Sequence, residues 1–140
     1  MKRFCNVFFD GVQDDTFFQS CGMADLITTC YGGRNRKCAE AYARVRVSAR
    51  DSNNNNNQGQ WDEQACSSLW TKLETDLLQG QKLQGTLTCQ EAFTVLSSRS
   101  MLGQFPLLRV IHDISFKGLP VERIVDGIVM PGGPQLLSKL

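Results

Sequence analysis

The side chains best suited to chemistry sit between residues 20 and 37. An apolar run there carries one acid, Asp25, and one hydroxyl, Thr29, four residues later. On a helix those two share a face. Gly32-Gly33 breaks the run, and Arg34, Arg36 and Lys37 follow at once. The segment from Lys37 to Arg44 predicts helix, because Ala39, Ala41 and Ala43 are strong formers with no breaker among them. The cations thus gather at a predicted helix N-terminus, where the macrodipole favours negative charge by roughly 0.3–1 kcal/mol per group. A bound anion would reverse that balance by taking both the free N–H groups and the cations. Asn35 suits an N-cap, and the two glycines let backbone approach a ligand closely. Two readings stand side by side: a phosphate or carboxylate site, and a solvated basic turn.

The elements that must hold these residues read as helices. Phe17, Phe18, Cys21, Met23, Leu26 and Ile27 recur at helical spacing before the glycine pair. Residues 69–78 form an amphipathic helix with Leu69, Leu73 and Leu77 in line, ended by Gly80. Lys82 and Gln84 fall in the loop that follows. Thr88-Cys89-Gln90-Glu91 is a capping-box pattern, predicting a helix start with Ala92, Phe93 and Leu96 inward. Pro106 opens another helix, with Leu107, Leu108, Ile111 and Ile114 as its stripe, and Val121 to Ile128 reads as a last short one. No segment alternates with a two-residue period between turn signals, so the predicted class is all-α. His112 and Asp113 are adjacent on the late helix, where neighbouring side chains diverge, and His112 is read as structural.

Between these elements, about 45–68 reads as an irregular insertion around five consecutive asparagines, Asn53 to Asn57. Such composition buries too little apolar surface to offset chain entropy. The chain closes on a Pro/Gly-rich tail, 129–140, ending in Ser138-Lys139-Leu140. That tripeptide at the extreme terminus matches the receptor-read peroxisomal address. A net charge of +1 argues against bulk attraction to nucleic acid or to a membrane surface. The 140 residues are one domain's worth, and the 41% of hydrophobic residues supports a real core. Six cysteines without a Cys-x-x-Cys pair, and a single histidine, point to reduced thiols acting as small hydrophobes and not to a metal site.

The string Ala24-Asp-Leu-Ile-Thr-Thr-Cys-Tyr-Gly-Gly-Arg-Asn-Arg-Lys37 resembles the signature of the C-terminal domain of NAD-dependent glycerol-3-phosphate dehydrogenases. Leu78-Gln-Gly-Gln-Lys-Leu-Gln-Gly85 resembles that family's next motif. The stretches Thr16 to Arg44 and Leu73 to Ile128 follow the pattern. The resemblance implies a multi-helix substrate-binding and dimerisation domain of the 6-phosphogluconate-dehydrogenase-like type over 1–128. It implies reversible hydride transfer between NAD and the pair dihydroxyacetone phosphate and glycerol 3-phosphate. By the same resemblance Asp25 and Thr29 flank the reacting carbon, and Arg34 and Asn35 bind the substrate phosphate. Arg34, Lys82 and Gln84 contact NAD, and the enzyme is a homodimer.

The sequence departs from the family in three respects, one of them that a second substrate-binding lysine of the family's first domain is absent. It contains no Gly-x-Gly-x-x-Gly after a strand, so the N-terminal Rossmann domain is lacking. No position matches the family's general acid/base lysine. The expectation is therefore a C-terminal fragment, with Met1 an internal methionine, inactive alone, from an enzyme of a peroxisome or glycosome-like organelle, or otherwise of the cytoplasm. The alternative is a non-catalytic helical module that binds phosphate esters or a protein partner. Without the resemblance, Asp25 reads as a structural acid, Thr29 as a hydroxyl bonded back to its own helix, and Lys82 and Gln84 as loop surface.

Overall fold

The computed structural model describes residues 1–52 and 61–128. The asparagine run and the Ser138-Lys139-Leu140 terminus lie outside the described residues. Every regular element among the described residues is helical: α1 (Lys2–Phe8), α2 (Asp25–Gly32), α3 (Arg34–Ser52), α4 (Glu63–Leu78), α5 (Gln84–Ser98) and α6 (Pro106–Phe116). Short 3-10 turns at Asp14–Phe18, Leu102–Gln104 and Val121–Gly127, and a π turn at Ser20–Ala24, join or extend them. The chain divides into two compact units, Met1–Lys37 and Cys38–Leu140.

In the first unit the predicted apolar run forms α2, entered through the π turn. Its large side chains face outward: Met23, Leu26, Ile27 and Tyr31 are all exposed, and α2 buries none of its residues. Gly22 is required where it stands, since a Cβ there would lie 2.3 Å from the Phe17 carbonyl oxygen.

The second unit carries the core. Cys38 and Tyr42 of α3, Cys66, Leu69, Trp70, Leu73 and Leu78 of α4, Leu83, and Ile114 and Phe116 of α6 pack as one cluster. The Tyr42 and Trp70 rings stack at 4.1 Å and 6°. Burial of a Leu, Ile or Phe side chain in this cluster contributes up to about 1.5–3 kcal/mol. The Trp70 indole N–H donates to the Ser115 carbonyl at 3.0 Å, and the Tyr42 hydroxyl donates to that of Ile114 at 3.1 Å. Both satisfy carbonyls that the last turn of α6 leaves without a helical partner.

Several sequence expectations are corrected here. The irregular stretch expected over 45–68 is helical at both ends, because α3 runs on to Ser52 and α4 begins at Glu63. Its edges pack, with Arg46 and Cys66 buried and Trp61 against the core. Asp62 caps α4 by accepting from the Ala65 N–H at 2.7 Å. The capping-box pattern at Thr88 opens nothing: α5 starts four residues earlier, at Gln84, and Thr88 is an interior position. A Thr-x-x-Glu spacing is also one ordinary helical turn, so the pattern alone does not fix a start. The α6 stripe is rotated from its predicted place. His112, Ile114 and Phe116 are buried, while Leu107 and Ile111 stand more than a third exposed. Leu77 faces outward and Leu78 takes the buried position instead. His112 stacks on Phe93, and its Nδ1 lies 3.2 Å from Asp113 Oδ1, so the two adjacent side chains converge after all.

Candidate functional site

In the first unit, Asp25 opens α2 and Thr29 follows one turn later on the same helix, as the spacing requires. Asp25 is exposed and Thr29 half-buried. The hydroxyl that bonds back within α2 belongs to Thr28, which donates to the Ala24 carbonyl at 2.9 Å.

Gly33 makes the corner from α2 into α3. Its N–H donates to the Thr29 carbonyl at 2.8 Å, closing α2, and its own carbonyl accepts from the Lys37 N–H at 3.2 Å, opening α3. A Cβ at this position would lie 2.5 Å from the Thr29 oxygen and 2.8 Å from its Cγ2, so only glycine fits. Gly33 therefore takes the cap position expected of Asn35. Arg34 and Asn35 lie inside the first turn of α3, both exposed. The three cations also separate in role. Arg36 Nη1 donates to the Tyr31 carbonyl at 3.0 Å, a cation at the negative end of α2, while Arg34 begins α3.

In the second unit, α4, α5 and the end of α6 line a half-open groove of about 340 Å³. Lys82 and Gln84 stand on its wall, with Trp70 and Phe116 among its apolar lining. Gln84 is the first residue of α5 and not a loop residue. Glu74, buried on α4, accepts from the Leu83 N–H at 2.9 Å and from Lys82 Nζ at 3.0 Å. Burial pushes the Glu74 carboxyl up, but the Leu83 N–H and the Lys82 ammonium outweigh it, leaving the group below its ordinary range. The groove is thus lined by hydroxyl, amide and ammonium groups and by the Glu63 and Glu74 carboxylates, with Trp70 and Phe116 as aromatic lining, a set suited to a polar ligand with an apolar face. Among the described residues no group of three or more His, Cys, Asp or Glu side chains could hold a metal ion.

Sequence reasoning missed Glu74 and Arg46. Arg46 is 5% exposed and donates to the carbonyls of Ile114, Gly118 and Leu119 and to the Tyr42 hydroxyl, at 2.8–3.0 Å. Its guanidinium also lies over the Trp61 ring. The signal was present, since Cys38, Tyr42 and Arg46 recur every four residues along one face of α3, and all three are buried.

The described residues define an all-helical class of domain. The comparisons make it specific. The family model for the C-terminus of NAD-dependent glycerol-3-phosphate dehydrogenase matches residues 1–126. The chain belongs to that oxidoreductase family. It is 44% identical over 126 residues to glycerol-3-phosphate dehydrogenase [NAD(+)] of Cuphea lanceolata, matching 90% of this chain and 29% of that protein. With the cytoplasmic human enzyme of the same name it shares 40% identity, over 89% of this chain and 30% of the relative. The solved structure of DsGPDH of Dunaliella salina superimposes with a TM-score of 0.73 at 39% identity, over 95% of this chain and 21% of that one. Glycerol-3-phosphate dehydrogenase of Plasmodium falciparum gives 0.71 at 29% identity, over 94% and 31%. The chain spans less than a third of the length of these relatives and matches the family's C-terminal domain.

Proposed function

We propose that this chain supplies the substrate-binding part of an NAD-dependent glycerol-3-phosphate dehydrogenase, interconverting dihydroxyacetone phosphate and glycerol 3-phosphate. The observation that carries the reading is the Gly33 corner. It joins the helix holding Asp25 and Thr29 directly to the first turn of α3, within the span that the family model matches. Arg34 offers a permanently charged planar fork, and Asn35 an amide, to the substrate phosphate. Asp25 and Thr29 flank the reacting carbon, the acid holding charge beside it and the hydroxyl able to donate to its oxygen.

From this chain, Lys82 and Gln84, with Arg34, are the contacts to NAD. Ammonium, amide and guanidinium donors fit an anionic, hydroxyl-rich dinucleotide. When bound, NAD supplies or takes the hydride. The general acid/base lysine and the Gly-x-Gly-x-x-Gly turn have no counterpart among these residues, so on this reading they come from a nucleotide-binding domain, and the chain alone does not turn over. Residues 1–128 are then the family domain, which also makes the homodimer contact, and 129–140 presents Ser138-Lys139-Leu140 to a peroxisomal import receptor.

The test joins the nucleotide-binding portion of the Cuphea lanceolata relative ahead of Met1. The joined protein is expected to oxidise NADH with dihydroxyacetone phosphate, while the 140-residue chain alone gives no rate. A folded but inactive joined protein that still binds inorganic phosphate through Arg34 would replace the enzyme reading with a phosphate-binding module.

A further inference from the structure

Glu74 lies outside every residue so far assigned to substrate or cofactor, yet its carboxylate fixes both candidate NAD contacts of the second unit. One oxygen, Oε2, accepts from Lys82 Nζ at 3.0 Å. The other, Oε1, accepts from the Leu83 N–H at 2.9 Å, the backbone position between Lys82 and Gln84. The geometry is asymmetric in a useful way. The Glu74 side chain is 11% exposed and the Lys82 side chain 77% exposed, so a buried anchor holds a solvent-facing cation by its head. A lysine with four rotatable bonds otherwise samples many positions over the groove, and ordering it on binding costs rotamer entropy. Leu83 is buried and caps α5, so its bond to Glu74 also fixes where Gln84, the first residue of that helix, begins.

We infer that Glu74 is a positioning residue for the cofactor: through its bonds to Lys82 and Leu83 it preorganises Lys82 and Gln84 for a dinucleotide. The inference rests on the reading of Lys82 and Gln84 as NAD contacts given above. Preorganisation of this kind acts on cofactor affinity and leaves the chemistry at the reacting carbon alone. A purely structural acid would instead lower stability and shift all kinetic constants together.

The experiment is a double-mutant cycle in the joined enzyme carrying the full chain, with steady-state kinetics for both substrates and a melting curve for each variant. Glu74→Gln keeps an acceptor for the Leu83 N–H but removes the charge that holds Lys82. It is expected to raise KM for NADH about fivefold, with kcat and KM for dihydroxyacetone phosphate within about twofold. Lys82→Met is expected to raise KM for NADH about tenfold, the loss of one charge-assisted contact. The double variant is expected to match Lys82→Met alone, because Glu74 acts through Lys82. Glu74→Asp, which keeps the charge, is expected to recover part of the affinity and provides the comparison if Glu74→Gln does not fold. Additive effects of the two changes, or a Glu74 effect confined to melting temperature or kcat, overturn the positioning role. If Lys82→Met leaves KM for NADH unchanged, the cofactor reading of Lys82 itself falls and takes this role with it.

Discussion

Arg46 Nη1 donates to the carbonyl oxygen of Ile114 at 2.9 Å, tying the middle of α3 to the last turn of α6. Among the described residues no carboxylate takes part in the hydrogen bonds of this guanidinium. Its partners are the Ile114, Gly118 and Leu119 carbonyls, the Tyr42 hydroxyl and the Cys66 sulfur, and among the described residues its Nε meets no acceptor. A cation at a helix C-terminus answers the negative end of the dipole, and the fork satisfies carbonyls that the helix cannot. Arg46→Ala should leave the Gly118 and Leu119 carbonyls without their donor, at about 1–3 kcal/mol for each one not reached by water, while the Ile114 carbonyl keeps the Tyr42 hydroxyl. Arg46→Lys should recover little of the loss, since one ammonium cannot reproduce the fork. Urea unfolding followed by circular dichroism reads both. A loss below about 1 kcal/mol for Arg46→Ala would show that the network is not needed.

Two glycines separate backbone strain from crowding. Gly80 has φ +82 and open space where a Cβ would stand, whereas Gly118 has φ +74 and a Cβ there would lie 1.6 Å from the Trp61 carbonyl oxygen. Gly80→Ala should cost about 1–2 kcal/mol, the cost of a left-handed conformation alone. Gly118→Ala must in addition move the Trp61 backbone, and with it the ring under Arg46. It should cost clearly more, at least about 3 kcal/mol in the same assay. Equal losses at the two positions would mean that the Trp61 segment yields freely.

Acid should loosen the second unit through Glu74. Its folded carboxyl lies below the ordinary range, with burial opposed by the Leu83 N–H and the Lys82 ammonium. A group whose folded pKa is depressed adds stability above its unfolded pKa and loses it as pH falls through the folded one. The loss should therefore begin near the ordinary value of 4.5 and continue below it. Melting temperatures between about pH 7 and pH 3 should fall less steeply for Glu74→Gln than for the parent chain. Parallel curves would remove Glu74 from the acid response.

The cysteines divide by burial, which their spacing in the sequence does not reveal. Cys21 and Cys30 are exposed, Cys38 and Cys66 are fully buried, and Cys5 and Cys89 lie between. Burial, with the nearby Glu74 charge, also pushes the Cys38 thiol up, further from the reactive thiolate. A thiol reagent at about pH 8 should modify Cys21 and Cys30 first and reach Cys38 and Cys66 only with denaturant. Mass mapping of the labelled peptides checks the order, and early labelling of Cys66 would contradict the packing of α4.

What was legible in the sequence follows from what periodicity can carry. The all-helical class, the Pro106 start of α6 and the Gly33 break each have a local cause, and the structure has them. The motif at 24–37 points to the family without any knowledge of the fold. Positions decided by other segments were not legible. The four-residue spacing of Cys38, Tyr42 and Arg46 marks one face of α3 but not the carbonyls of 114–119 that Arg46 meets, and Glu74 reads as the polar face of α4 until Leu83 folds back onto it. The α6 stripe failed for a related reason: a polar His112 takes a core position by stacking on Phe93, and the apolar pattern gives no hint of that exchange.

The corner at Gly33 makes a last prediction, because its two arginines point to opposite duties. Arg36 donates to the Tyr31 carbonyl at 3.0 Å and so belongs to the end of α2. Arg36→Ala should cost about 1 kcal/mol of stability, one hydrogen bond from a charged donor at an exposed helix end. Arg34, on the proposed reading, instead holds the substrate phosphate. Arg34→Ala is therefore read on substrate and phosphate binding. In the joined enzyme it should raise KM for dihydroxyacetone phosphate by about tenfold or more, the loss of a charge-assisted pair being about 1.5–3 kcal/mol. Inorganic phosphate should protect the parent chain against thermal unfolding, and this protection should disappear with Arg34→Ala. If both arginines shift stability alike and neither shifts the phosphate response, the turn is a solvated basic corner and the anion site lies elsewhere.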